Sequence, residues 1–460
     1  MARPAYTRIT GDIPVKEKVD PNYITQTRTY KLITPLFGGG AETQKPDEVT
    51  TVRASEVRGH LRFWWRATRG GQEKFEGKLE KMKEEEERIW GSAAKKDKAG
   101  HSEVKLNIVL LQKKDAVFKK TVEVYDKKTK TKKKTPVEIG EPKSPWSYVA
   151  FPLREQINKQ TGEKIPAGSV LDAGIEFELE LKYPSTLKDE VESALWAWET
   201  FGGIGARTRR GFGALKCFKV NGEVNNPPNR ESIDDVYLSR HLMTDGKWPA
   251  GVPYLKAKPR YNVSKAKGTQ IKVWEHIFTS LRDFRQQRYG SKHGLSQWPE
   301  ANEIRRYHSI SAKFPEKESD DEEDIVLIEK FPRAKFGLPI QFNMPHDESI
   351  GEKKIELHGK KLGEKKYIDR LASPLILRPI ACMDGKDESA VGIALILEWE
   401  TIGTNENYTP PGGLFLSSEV KGDFQVKSNL ENDEEKNIKP LNLSGKPQSD
   451  VLQAFLDYLK

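Results

Sequence analysis

The 460-residue sequence predicts an α+β fold built from two units. Three observations carry that expectation. In the first half, segments with apolar residues at every second position alternate with segments whose apolar residues recur at helical spacing. A Pro- and Asn-rich stretch at 221–229 separates this half from the remainder. No short-period repeat runs through the chain, which sets solenoid architectures aside.

The elements follow in order. Residues 1–22 read as a polar lead-in. Residues 23–36 alternate and are rich in β-branched side chains, a strand that runs into Phe37-Gly-Gly-Gly40. Residues 53–70 form an amphipathic helix with Val57, Leu61 and Trp64 on one stripe and Arg58, Arg62, Arg66 and Arg69 beside it. A charged helix follows, then a strand at 104–111. Residues 112–145 hold a lysine-rich insertion, read as a hairpin or loop. Residues 146–153 and 170–183 read as extended, the latter placing Ile175, Phe177, Leu179 and Leu181 opposite Glu176, Glu178 and Glu180. A helix from 184 to 201 stops at Gly202-Gly203, and a strand at 214–220 closes the unit. Strand, helix, strands, helix, strand fits a ferredoxin-like β-α-β-β-α-β unit over 23–220. The second unit, 221–460, is a further α+β domain. It has a helix at 272–288, an acidic loop at 316–324, strands at 336–342, 375–380 and 391–399, and a closing helix at 449–459.

Composition narrows the function. Charged residues make up 32% of the chain, and no apolar run approaches the ~20 residues of a membrane span. The start carries no apolar leader, so the expectation is a cytoplasmic protein. Two cysteines, Cys217 and Cys382, exclude a disulfide framework and a Cys-rich zinc module. No His, Cys, Asp and Glu grouping has metal-ligand spacing, so no metal or cofactor is expected. Residues 1–220 carry 42 Lys and Arg against 31 Asp and Glu, whereas the rest carries 35 against 37. The positive excess sits wholly in the first half, which suits a polyanionic partner.

Gly203-Ile-Gly-Ala-Arg-Thr-Arg-Arg-Gly-Phe-Gly213 is the strongest local motif. Gly203, Gly205, Gly211 and Gly213 let a backbone turn its N–H groups toward an anion. Arg207, Arg209 and Arg210 add forked donors for phosphates. The same string also fits a tight helix-to-strand connection with solvated arginines. Arg53, Arg58, Arg62 and Arg66 interleave with Phe63, Trp64 and Trp65, a mixture that suits single-stranded RNA. Trp64 belongs on the core stripe. Gly38, Gly39 and Gly40 form a loop able to cradle a phosphate. His60, His293 and His308 are lone histidines of the kind that usually serve structure.

Assembled, these strings resemble a known family. Leu32-Ile-Thr-Pro-Leu-Phe-Gly-Gly-Gly40 and Arg53-Ala-Ser-Glu-Val-Arg-Gly-His-Leu-Arg-Phe-Trp-Trp-Arg-Ala67 look like the opening of the first-subunit family of the type III-B CRISPR effector, the Cmr complex, within the RAMP superfamily. Ile89-Trp-Gly-Ser92 and Gly203–Gly213 are similar to superfamily signatures. Phe336-Gly-Leu-Pro-Ile340 and Ala372-Ser-Pro-Leu-Ile-Leu-Arg-Pro379 resemble the family's later ones. The resemblance implies two ferredoxin-like, RRM-related domains with insertions. It also implies partnership with guide RNA, single-stranded target RNA and other Cmr subunits near the guide's 3′ end, with catalysis assigned elsewhere. Through the matched motifs it adds Lys335, Arg370 and Arg378 to the RNA-binding candidates. Nothing after about residue 405 matches. Two other classes stay open. A metal-independent RAMP endoribonuclease would need His60 or His308 at a scissile phosphate, and a protein–protein scaffold would turn the arginines toward acidic partners.

Overall fold

The computed structural model describes residues 20–38, 40, 45–47, 49–92, 100–126, 131–157, 161–288, 296–308, 329–344, 351–400, 408–419, 422–431, 433–443 and 445–459. The expected acidic loop and His293 lie outside them, as does Gly39. Among the described residues no helix is long and apolar enough to cross a membrane.

The first half forms β1 (Tyr23–Leu32), α1 (Ala54–Arg69), α2 (Leu79–Trp90), β2 (Lys105–Gln112), β3 (Glu176–Pro184), α3 (Lys188–Phe201) and β4 (Leu215–Val220). The four strands pair antiparallel in the order β4-β1-β3-β2, with Glu223–Val224 added at the β4 edge. Alternation decides which face of β3 is covered: Phe177, Leu179, Leu181 and Tyr183 are buried beneath α1 and α3. The lysine-rich insertion is a hairpin of Lys119–Asp126 against Thr131–Glu138, tied down where Lys120 Nζ lies 3.2 Å from Glu275 and 3.4 Å from the Trp146 ring centre.

One reading fails here. Residues 146–153, expected as a strand, form the helical turn Ser147–Ala150 and the 3₁₀ turn Phe151–Leu153. Trp146, Val149, Ala150 and Leu153 are all buried, at i, i+3, i+4 and i+7. That is the helical period, and the short apolar stretch hid it. The expected strand at 170–183 is also broken, into Val170–Leu171 and β3, at Gly174.

The second half holds β5 (Arg260–Ser264), α4 (Gln270–Arg285), α5 (Pro299–His308), β6 (Ile340–Met344), β7 (Gly351–Gly359), β8 (Leu375–Asp384), β9 (Asp387–Ile396), β10 (Leu414–Ser418), β11 (Gly422–Val426) and α6 (Val451–Tyr458). Its strands form two antiparallel sheets, β5-β9-β8 and β6-β7-β10-β11. The free edge of β5 carries no fourth strand among the described residues. There Asn262 donates to the carbonyls of Leu456 and Leu459, at the end of α6. The stretch expected as a strand from 336 begins instead with the 3₁₀ turn Pro332–Phe336.

β8 and β9 are buried on both faces, and the alternation divides them between two cores. Ile376, Ile380, Cys382, Val391, Ile393 and Leu395 join the core of the first half, whereas Leu375, Leu377, Ala394 and Ile396 pack with Trp274, Ile277 and Phe278 of α4. Gly392 sits where a Cβ would come within 2.3 Å of Ile277. This sheet therefore welds the halves together.

Candidate nucleic-acid interface

The glycine-rich turn is built for closeness. A Cβ on Gly213 would lie 1.9 Å from the Ile204 carbonyl oxygen, and one on Gly211 would lie 2.5 Å from Trp274 Nε1. Six of its backbone donors are also spent, those of Ile204, Gly205, Ala206, Arg210, Gly211 and Gly213. Ile204 N–H donates to the Gly213 carbonyl, Gly211 N–H to Thr208, and Gly213 N–H to Pro35. Gly205 N–H donates to Glu56 Oε1 at 2.8 Å, so a protein carboxylate holds the position expected for a phosphate. Gly203 accepts from Trp198 Nε1 at 2.9 Å. At Gly205, Gly211 and Gly213 the expected anion nest is thus a packing turn, because these amides bond within the protein. Gly38 lies beside it, a Cβ there coming 3.5 Å from Ala206, while Gly40 turns toward Lys45.

The arginines of this turn face outward into a cleft. Arg207 takes a left-handed backbone, φ 58°, a conformation that only specific surroundings sustain in a non-glycine residue. Its guanidinium lies 4.5 Å from the Phe151 ring centre and donates to the Val149 carbonyl. Arg209 donates to Ser373 and Arg210 to Leu375, both carbonyls of the second half.

The row on α1 behaves differently. Arg58 donates to the carbonyls of Trp90 and Val104 and to Ser102, which ties α1 to the turn after α2. Arg62 and Arg66 share Glu86, at 2.6 and 2.5 Å, and that carboxylate is 4% exposed. Arg53 stands at the N-terminal cap of α1. Trp65 is fully buried and donates to Glu190, and Trp64 is core, so neither offers a stacking platform. Arg378 is a correction. It is 1% exposed on the face of β8 turned to the first half, donating to the carbonyls of Trp198 and Leu215, and cannot reach a ligand. Lys335 lines a separate hollow with Arg260 and Asp450.

The cleft, about 800 Å³, lies between the halves. Among the described residues, seven arginines line it: Arg154, Arg207, Arg209, Arg210, Arg285, Arg333 and Arg370, and no carboxylate does. Their fixed partners are mostly neutral, such as the Gly140 carbonyl for Arg154 and the Tyr148 hydroxyl for Arg285. Arg333 is the exception, paired with buried Glu300 at 3.0 Å. Aromatic rings interleave: Arg285 lies 5.4 Å from the Phe336 centre and Arg333 5.8 Å from Phe342. Burial pushes Arg207, Arg209 and Arg210 down to about 10, and repulsion from exposed Arg370 adds to this at Arg207 and Arg209. Uncompensated cations held together in a half-buried cleft favour an anion entering it.

Two patterns now stand together on one unit: the chain order β1-α1-α2-β2-β3-α3-β4, and a glycine-rich turn after α3. Residues 29–216 match the RAMP superfamily. A search of curated proteins finds no match. Among solved structures, the chain is similar to Cmr1 from Pyrococcus furiosus in its apo form, with 18% identity, a TM-score of 0.40, and coverage of 81% of this chain and 88% of that one. It is also similar to a chain of the type III-B Cmr-beta complex bound to cognate target RNA, with 14% identity, a TM-score of 0.42, and coverage of 81% and 94%. A second Cmr-beta structure, bound to cognate target RNA and AMPPnP in the presence of ssDNA, gives 12% identity, a TM-score of 0.42, and coverage of 95% and 99%.

The first half supplies Arg154, Arg207, Arg209 and Arg210 to the cleft, and the second half supplies Arg285, Arg333 and Arg370. Sequence reasoning missed Arg154, Arg285 and Arg333. Arg333 stands three residues before the matched Phe336-Gly-Leu-Pro string, which was a usable signal; Arg154 and Arg285 had none. Neither His60 nor His308 lines the cleft. His308 is buried, its ring nitrogens bonded to the Ile304 carbonyl and Ser418 Oγ. Burial pushes His60 down to about 4. Among the described residues no His, Cys, Asp and Glu group could hold a metal.

Proposed function

We propose that this chain is a non-catalytic RNA-binding subunit of a cytoplasmic type III-B CRISPR effector (Cmr) complex, acting in antiviral defence. In this reading it works with other Cmr subunits on guide RNA and single-stranded target RNA near the guide's 3′ end. The observation that carries the RNA role is the cleft, where, among the described residues, seven arginines interleave with aromatic rings and no carboxylate lines the wall. Guanidinium forks suit phosphates, and rings suit unstacked bases. The RAMP match over 29–216 and the quoted motifs support the class of complex. We read residues 23–220 as a ferredoxin-like domain, from the order β4-β1-β3-β2, and 221–460 as a second domain with an incomplete copy of that pattern. The enclosed His308 supports a role without catalysis, since a general base must reach the proton it takes.

The test is single-stranded RNA binding by the full chain across a salt series. The log–log slope should be steep, and Arg370→Ala should flatten it by about 0.7 for each phosphate left without its cation. A slope unmoved by both Arg370→Ala and Arg154→Ala would reject the cleft as the RNA path. RNA cut in EDTA would overturn the non-catalytic reading.

A further inference from the structure

A second, smaller hollow opens off the cleft, on the side of α1. It measures about 370 Å³, at the low end for small-ligand sites, and shares Thr208 and Arg209 with the cleft. Its other functional lining is Glu56, Gly59, His60 and Phe63. We propose that this hollow receives one nucleobase extruded from RNA lying in the arginine cleft, and that it selects guanine through the Glu56 carboxylate. The proposal rests on the RNA-binding reading above.

The chemistry is set by acceptors. Glu56 is 15% exposed, and its Oε1 takes the Gly205 N–H at 2.8 Å. A carboxylate offers about four accepting positions, so accepting positions remain beside the one that Gly205 fills. Burial pushes the carboxyl above the usual carboxylate range. Guanine presents two adjacent donors on its Watson–Crick edge, N1–H and the N2 amino group, which match the two oxygens of one carboxylate. Adenine and cytosine present one amino donor beside a ring acceptor that a carboxylate repels. Uracil places its single N–H between two carbonyls.

The other walls suit a ring. Phe63 is half-buried, with the Arg209 guanidinium 5.5 Å from its centre, a pairing of ring and cation plane on which bases stack. His60 Nε2 stands 4.0 Å from Glu56 Oε1, and the ring is neutral at pH 7, so it offers a hydrogen-bonding edge without adding charge. Gly59 forms the open side, since a Cβ there would meet nothing within 4 Å. Arg209 touches both spaces, so a strand whose phosphates follow the cleft arginines passes the mouth of this hollow.

The experiment compares oligouridine with the same oligomer carrying one central guanosine, adenosine, cytidine or inosine, bound to the full chain. The guanosine oligomer should bind about tenfold tighter than oligouridine, within the ~1–3 kcal/mol of a good bidentate base contact. Inosine lacks the 2-amino group and should fall between. Glu56→Gln should erase the preference while oligouridine still binds. Gly59→Leu, which fills the hollow from its open side and leaves the Gly205 contact intact, should do the same. Equal affinity for all five oligomers would overturn the base pocket and leave the cleft reading standing. A guanosine preference that survives both substitutions would also overturn it. Failure to bind any oligomer would remove the cleft reading and the pocket with it.

Discussion

Two rows of arginine face opposite fates in this molecule. On α1, Arg58, Arg62 and Arg66 are consumed by their own fold: two share the nearly enclosed Glu86, and the third fastens the turn after α2. In the cleft, Arg207, Arg209 and Arg210 each spend a donor on a neutral carbonyl and keep their charge uncancelled. Residue type and number are alike in the two rows. What separates the two rows is whether the guanidinium is used up, by a shared carboxylate at Arg62 and Arg66 and by three oxygen acceptors at Arg58, or keeps a side open to the cleft.

That contrast can be broken from its strongest side. Arg154→Glu with Arg370→Glu places two carboxylates in the cleft, and RNA affinity measured by anisotropy at moderate salt should fall on the order of 100-fold. On α1, the matched experiment is Glu86→Ala. Chemical denaturation should show a loss of about 2 kcal/mol, since two cations lose a shared partner, with RNA affinity within about twofold of wild type. A smaller effect sharpens the rule. Glu300→Gln frees Arg333 from its ion pair and should tighten RNA binding by roughly threefold at low salt, while lowering stability by about 1–2 kcal/mol. The smallest belongs to the hairpin. Its Lys132, Lys133 and Lys134 are exposed, and a triple alanine variant should change RNA affinity by less than about twofold in the same assay.

Periodicity made the first half legible. Alternation placed Phe177, Leu179 and Leu181 inside, and helical spacing did the same for Val57, Leu61 and Trp64. Where a segment served two neighbours, the signal weakened. β8 is buried on both faces, so its string reads as generally apolar and says nothing about which residue meets which core. Arg378 was misread for that reason: an arginine inside such a strand lies between layers, and its partners are carbonyls that no sequence pattern marks. The glycine-rich turn was found as a motif but misread in mechanism, because a string of glycines fits an inward-packed turn as well as an anion nest. The cleft was half visible. Arg207, Arg209 and Arg210 came from one motif, whereas Arg154 and Arg285 reach it only through tertiary contacts with Gly140 and Tyr148.

The uncancelled cleft also bears on how the protein keeps its shape. Folding must gather seven arginines across the weld between the halves, and those other than Arg333, which Glu300 pairs, oppose closure. A polyanion that enters only the closed form acts as a counter-ion built in trans, and the melting temperature becomes a function of its concentration. At about 100 times the dissociation constant the gain is about 2.7 kcal/mol. Salt should then raise the melting point of the bare chain by screening the cleft, and lower that of the RNA-loaded chain by stripping its ligand.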